Sequence, residues 1–316
     1  MEYIILIVSL GAIVCGADCL VSGSVSIARK LRISDFVIGA LIVGIGTSVP
    51  EMVVSLTGAV NGNTDVAIGN VVGSNIFNVL GILGVTAAIY PVAVTKSNLK
   101  FEMPLNIFIS VLLLLLTYNF FNGKQAELSR FDGAILIALF VIFIVKSFLR
   151  DRKNPVPQEG ATEIDKTPVW LSTVKIVLGL AVLIAGCHFF VKESVTIARQ
   201  LGVNDAFISI TLIAGGTSLP ELAASIAAAA KKSTQLALGN IIGSNIFNIL
   251  LILGFSSLVT PLETGGITLT DYIVMTAAAI LPALLGVKGK ISRAGGLLLL
   301  TGYIAYNAWL INIQLT

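Results

Sequence analysis

Two short stretches carry the residues that could do chemistry. Gly46–Glu51 reads GTSVPE and Gly216–Glu221 reads GTSLPE, each set in an otherwise apolar run. Proline inside a helix removes a hydrogen bond and clashes with the carbonyl four residues back, so each motif predicts a break between two half-helices. A broken helix offers carbonyl oxygens, Thr47, Ser48, Thr217 and Ser218 add hydroxyl oxygens, and Glu51 and Glu221 add carboxylates. Oxygen donors of this kind suit hard cations. A second pair of motifs, GNVVGSNIFN (69–78) and GNIIGSNIFN (239–248), adds more oxygens. Ser74 and Asn78 are four apart and share a helix face, as do Ser244 and Asn248. No His or Cys recurs between the two sets, which disfavours zinc or copper and leaves sodium or calcium.

Bland readings exist for each motif. Ser48-x-x-Glu51 and Ser218-x-x-Glu221 fit a capping box. Against a cap alone stands cost: a carboxylate near the centre of a membrane helix costs roughly 2.5–3.5 kcal/mol, and a cap needs only the hydroxyl. In the second motifs, Asn70, Asn75, Asn240 and Asn245 read as interhelical hydrogen-bond glue. Gly69/Gly73 and Gly239/Gly243 read as close-packing positions. Ser74, Asn78, Ser244 and Asn248 read as site lining.

The elements that hold these residues are apolar. Of 316 residues, 56% are hydrophobic and 12% charged, and mean hydropathy is +0.95. Soluble domains carry roughly 25% charged residues. Apolar stretches of membrane-spanning length recur, which excludes soluble and nucleic-acid-binding classes. The fold class expected is an all-α integral membrane protein with ten spans, near 3–27, 35–60, 65–90, 102–121, 130–149, 169–191, 205–230, 234–259, 271–287 and 294–313. The first run has no basic flank or cleavage site and reads as a retained helix. One long polar connection, 150–168, carries three prolines and divides residues 1–149 from 169–316. With the N-terminus outside, 16 of the 20 Lys and Arg fall on the inside. The positive-inside rule then places both termini outside and the 150–168 linker inside.

The chain also repeats itself. Gly16–Pro91 aligns with Gly186–Pro261 at a constant shift of 170, with 32 of 76 positions identical. Five spans per repeat flip the second copy, giving two inverted-topology five-helix repeats with spans 2 and 7 broken at mid-membrane. Secondary transporters of this design place their sites where the repeats meet.

GTSVPE…GNVVGSNIFN and GTSLPE…GNIIGSNIFN resemble the two alpha-repeats (about 35–90 and 205–260) of the sodium/calcium exchanger family, within the cation/calcium antiporter superfamily. The short linker lacks the large calcium-sensing domains of animal exchangers, so the chain is similar to the minimal prokaryotic type. The resemblance implies a cell-membrane antiporter exchanging Na+ for Ca2+ by alternating access. Its site would be a mid-membrane cluster in which Glu51 and Glu221 ligate Ca2+ or Na+. It further implies that Ser48, Ser74, Ser218 and Ser244 are side-chain ligands. Thr47 and Thr217 would shape the broken helices, the carbonyls of Gly44 and Ala214 would add backbone oxygens, and spans 1 and 6 would form a sliding gate. Many relatives carry Asp where this chain has Asn248, which leaves two formal carboxylates. A Ca2+/H+ antiporter using the same glutamates is the alternative. An intramembrane enzyme would want an asymmetric acid and base, and a channel a continuous pore. No resident cofactor is expected; the partners are Ca2+, Na+ and membrane lipid, with no nucleic acid, and the chain is read as a monomer.

The residues outside the motifs have simpler readings. Cys15, Cys19 and Cys187 are expected to be buried as small apolar groups. His188 is expected to pack or hydrogen-bond. Asp18, Lys192 and Glu193 are expected near span ends, where they could snorkel or pair, and Asp35 and Asp205 at helix starts.

Overall fold

A computed structural model describes residues 2–119, 124–125, 127–153, 167–201, 215–264 and 267–315. The helices are α1 (Glu2–Leu31), α2 (Asp35–Thr47), α3 (Val49–Val60), α4 (Thr64–Ile89), α5 (Asn98–Thr117), α6 (Arg130–Lys153), α7 (Val169–Gln200), α8 (Leu219–Ala230), α9 (Thr234–Val259), α10 (Leu269–Gly286) and α11 (Arg293–Leu315). Four two-residue strands only clip loops together, Val92–Ala93 against Lys290–Ile291 and Tyr118–Asn119 against Lys124–Gln125.

Among the described residues, eight helices are long and apolar enough to cross a membrane, or nine when α2 and α3 count as one broken span. The protein is therefore all-helical and multi-pass. The expected first half of span 7, with Asp205 and Ala214, lies outside the described residues. Its second half, α8, has 12 residues, too few to cross alone. The expected linker also lies largely outside them. Span 2 is broken as expected: α2 and α3 meet at 49° around Ser48. Pro50 has no N–H to give the carbonyl of Gly46. The Thr47 hydroxyl bonds back to the Val43 carbonyl at 3.0 Å, a contact that itself bends helices. Asp35 opens α2, and the Ser34 hydroxyl before it accepts from the Val37 amide at 3.3 Å.

Two compact units divide the chain. The first comprises Met1–Val53 and Val141–Gly243; the second comprises Val54–Phe140 and Ser244–Thr316. Each draws on both halves of the sequence. In the first unit α1 lies along α7. A Cβ on Gly16 would meet the Leu183 amide at 2.6 Å, and one on Gly179 would meet the Leu20 amide at 2.6 Å, so glycine is what lets these backbones touch. Leu20, Leu183, Val43, Ala224 and Leu236 form the apolar core around that seam. Gly239 and Gly243 press on Phe36 and Ala40 of α2, as expected of small-residue packing positions, whereas Gly73, expected to do the same, is exposed with nothing within 4 Å of a Cβ.

In the second unit α11 packs on α4, and the start of α6 on the end of α9, again through glycines: Gly84 with Gly296, Gly133 with Gly254. Arg130 donates to the Val259 carbonyl at 3.2 Å and Arg293 to the Ile89 carbonyl at 3.3 Å. Each arginine thus satisfies the open C-terminal end of a helix. Ile89 and Val259 are counterparts at the shift of 170.

Two expectations are corrected. Cys15 and Cys19 are exposed on the helix surface, and only Cys187 is buried. In a membrane protein an apolar helix has a lipid side, so apolar context does not mean interior. His188 packs as expected, exposed but with its ring edge-on to Phe189. Asp18 is not near a span end, because α1 runs 30 residues to Leu31. It does pair, as expected of it, with Lys231 just past α8 at 2.7 Å, and the same ammonium reaches the Ser22 hydroxyl.

Candidate cation site

The first unit gathers the GTSVPE and GTSLPE residues. Thr47, Ser48, Glu51, Ser218 and Glu221 are all buried. The Ser48 hydroxyl donates to Glu221 Oε1 at 2.8 Å, and the Ser218 hydroxyl donates to Glu51 Oε1 at 2.8 Å. Each serine therefore serves the carboxylate of the other motif. The two bonds are equivalent under the shift of 170. This is not the local capping box: Ser218, at the N-cap of α8, makes no side-chain cap bond. Thr217 stands beside Glu51 and Thr47 beside Glu221.

A further residue completes this cluster. Asn240 of α9 accepts from the Thr47 hydroxyl at 3.2 Å, and its Nδ2 donates to the Glu221 carbonyl at 3.2 Å and to the Ser225 hydroxyl at 2.9 Å. One amide thus ties α2, α8 and α9 together. Oε2 of Glu221 is buried and accepts no hydrogen bond among the described residues. Gly44 is buried within α2, and its carbonyl accepts the Ser48 amide at 3.1 Å. Chemically the cluster is acceptor-rich: a carboxylate offers several lone pairs beyond the one a serine occupies. Such a set can surround a hard cation. Among the described residues, no group of three or more His, Cys, Asp and Glu is placed to hold a metal ion.

The second unit gathers the GSNIFN residues. Ser74, Asn75, Asn78, Ser244, Asn245 and Asn248 are buried. Asn78 Nδ2 donates to Asn245 Oδ1 at 3.0 Å, and Asn248 Nδ2 donates to Asn75 Oδ1 at 3.0 Å. Asn75 Nδ2 donates to the Asn245 carbonyl at 3.3 Å, and Asn245 Nδ2 to the Asn75 carbonyl at 3.5 Å. Oδ1 of Asn78 and Oδ1 of Asn248 are buried and accept nothing among the described residues. Here too α4 and α9 leave regular geometry: π-helical turns span Phe77–Leu83 and Asn248–Leu253. Such turns widen a helix locally and gather at functional sites. Asn70 donates to the Ser55 hydroxyl at 3.0 Å, the packing role expected of it.

Buried carboxylates within the apolar helices of a multi-pass frame mark a candidate functional site. The sequence model of the family Sodium/calcium exchanger protein matches residues 1–149 and 171–312; this chain belongs to the sodium/calcium exchanger family. It is 42% identical to the protein CaxA of Alkalimonas amylolytica, over 96% of each chain. It is 33% identical to the sodium/calcium exchanger MaX1 of Methanosarcina acetivorans, over 97% of each. The solved structure of the sodium-calcium exchanger NCX_Mj matches with a TM-score of 0.85 at 31% identity, covering 98% of both chains. Family and fold are those of a transporter, not of an enzyme.

Proposed function

We propose that this protein is a Na+/Ca2+ antiporter of the cell membrane, and that Glu51 and Glu221 are the carboxylates that bind the transported cation. The observation that carries this reading is the exchange of hydroxyls between the motifs, Ser48 to Glu221 and Ser218 to Glu51, at 2.8 Å each. It brings both carboxylates into one buried cluster, where an isolated charge would be costly and a cation would balance it. Ser74, Ser244, Asn78 and Asn248 are assigned as further oxygen ligands, with Thr47 and Thr217 shaping the breaks and the carbonyls of Gly44 and Ala214 as backbone donors. Ten spans in two inverted repeats, both termini outside and the 150–168 linker inside complete the reading, by the sequence repeat and the Lys/Arg distribution.

Two carboxylates match the charge of one Ca2+. Replacing that ion by three Na+ would move net charge, so a membrane potential should drive the cycle. Radiolabelled Ca2+ uptake into Na+-loaded proteoliposomes tests the coupling. An outward Na+ gradient is expected to drive uptake. Uptake that ignores Na+ and follows a pH gradient would replace this reading with Ca2+/H+ exchange.

A further inference from the structure

We infer that Asn75 and Asn245 are positioning residues that lock the amides of Asn78 and Asn248 with their oxygens, not their N–H groups, presented to the cation. The inference rests on the reading of Asn78 and Asn248 as cation ligands.

The direction of the hydrogen bonds carries the argument. A backbone carbonyl can only accept. The Asn245 side-chain atom at the Asn75 carbonyl must therefore be Nδ2, which turns Asn245 Oδ1 the other way. That Oδ1 lies 3.0 Å from the Asn78 amide, so the Asn78 atom facing it must be Nδ2. Asn78 Oδ1 is then the atom left over, buried and without a hydrogen bond among the described residues. The mirror chain runs from the Asn245 carbonyl through Asn75 to Asn248 and leaves Asn248 Oδ1 in the same condition. Asn75 and Asn245 are each anchored on a carbonyl and would lose two bonds on flipping, whereas a flip of Asn78 or Asn248 would lose one and set oxygen against oxygen.

A flipped amide would turn an N–H dipole toward the cation where an oxygen dipole stood. Groups that orient a metal ligand typically change affinity about 10–100-fold when removed. The roles differ from interhelical glue in one testable way. A carboxylate has two equivalent oxygens, so an aspartate at position 248 has no wrong face, and orientation by Asn75 ceases to matter.

The test is Ca2+ affinity in purified protein by calorimetry, with the KM of Ca2+/Ca2+ self-exchange in proteoliposomes beside it. The variants are Asn75→Ala, Asn248→Asp and the double variant, and the mirror set Asn245→Ala, Asn78→Asp and their double. Thermal unfolding serves as the folding check, and the mirror set stands in where one side fails to fold. Asn75→Ala is expected to weaken Ca2+ about tenfold in the Asn248 protein and to change it less than about twofold once Asn248→Asp is present. An equal loss in both backgrounds overturns the inference and returns Asn75 to packing. If Asn78→Ala and Asn248→Ala leave affinity unchanged, the ligand assignment beneath the inference fails instead.

Discussion

The carboxylate cluster of the first unit and the amide cluster of the second are built on one plan with different chemistry. In each, a residue of one motif is held by the counterpart motif 170 positions away: Ser48 with Glu221 and Ser218 with Glu51, Asn78 with Asn245 and Asn248 with Asn75. The first cluster holds two carboxyl groups, which are ionisable. The second is neutral and can only orient dipoles. On the proposed reading, Glu51 and Glu221 are the ionisable side chains of the two clusters, and the amides would tune rather than balance the cation's charge. The difference also separates two kinds of damage. Loss of a carboxylate in the first cluster should abolish exchange, whereas loss of an amide in the second should change affinity.

The largest expected effect comes from the carboxylates. Glu51→Gln or Glu221→Gln should lower exchange by about 30-fold to several thousand-fold, the scale of about 2–5 kcal/mol for removing one partner of a buried charge interaction. The two variants should match within a few-fold; a silent member would break the paired plan. Next come the crossing serines. Ser48→Ala and Ser218→Ala each remove a hydrogen bond to a charged group, about 1.5–3 kcal/mol, so affinity should fall roughly 10–100-fold in flux titrations. Because the bonds cross, Ser48→Ala should act through Glu221 and be non-additive with Glu221→Gln in a double-mutant cycle. Additivity would contradict the crossed geometry. Asn78→Ala and Asn248→Ala should cost about tenfold in KM, with the maximal rate less affected, near the low end of the cost of a lost buried polar partner.

The smallest effect belongs to Asp18 and Lys231. Their side chains are 61% and 32% exposed, so Lys231→Met should change stability by about 0–1 kcal/mol, within the usual range of exposed ion pairs. Thermal unfolding in detergent measures it. Its counterpart pair by the 170 shift is His188 and Asn61, which lacks opposite fixed charges. A large effect of Lys231→Met would mark that asymmetry as functional.

Much of the site was legible in the sequence because the motifs occur twice. Repetition singled out Glu51 and Glu221, and the proline explained the break at Ser48. The partner of each serine was not legible. The Ser-x-x-Glu spacing is local and points to a cap, while the observed bonds span 173 and 167 positions and depend on packing between helices. Asn240 and the Asn75–Asn245 pair were read as glue for the same reason: spacing cannot show which end of an amide is anchored. The lipid-facing Cys15 and Cys19 were misread because apolar periodicity does not separate a protein-facing from a lipid-facing side in a membrane helix.

The most direct measurement is Ca2+/Ca2+ self-exchange in Na+-free proteoliposomes, which isolates the cation site from the choice of counter-ion. Wild type should exchange radiolabelled Ca2+, and Glu51→Gln and Glu221→Gln should each reduce exchange to background while the protein stays folded by thermal unfolding. Full self-exchange in either folded variant would contradict the assignment of that carboxylate to the transported cation.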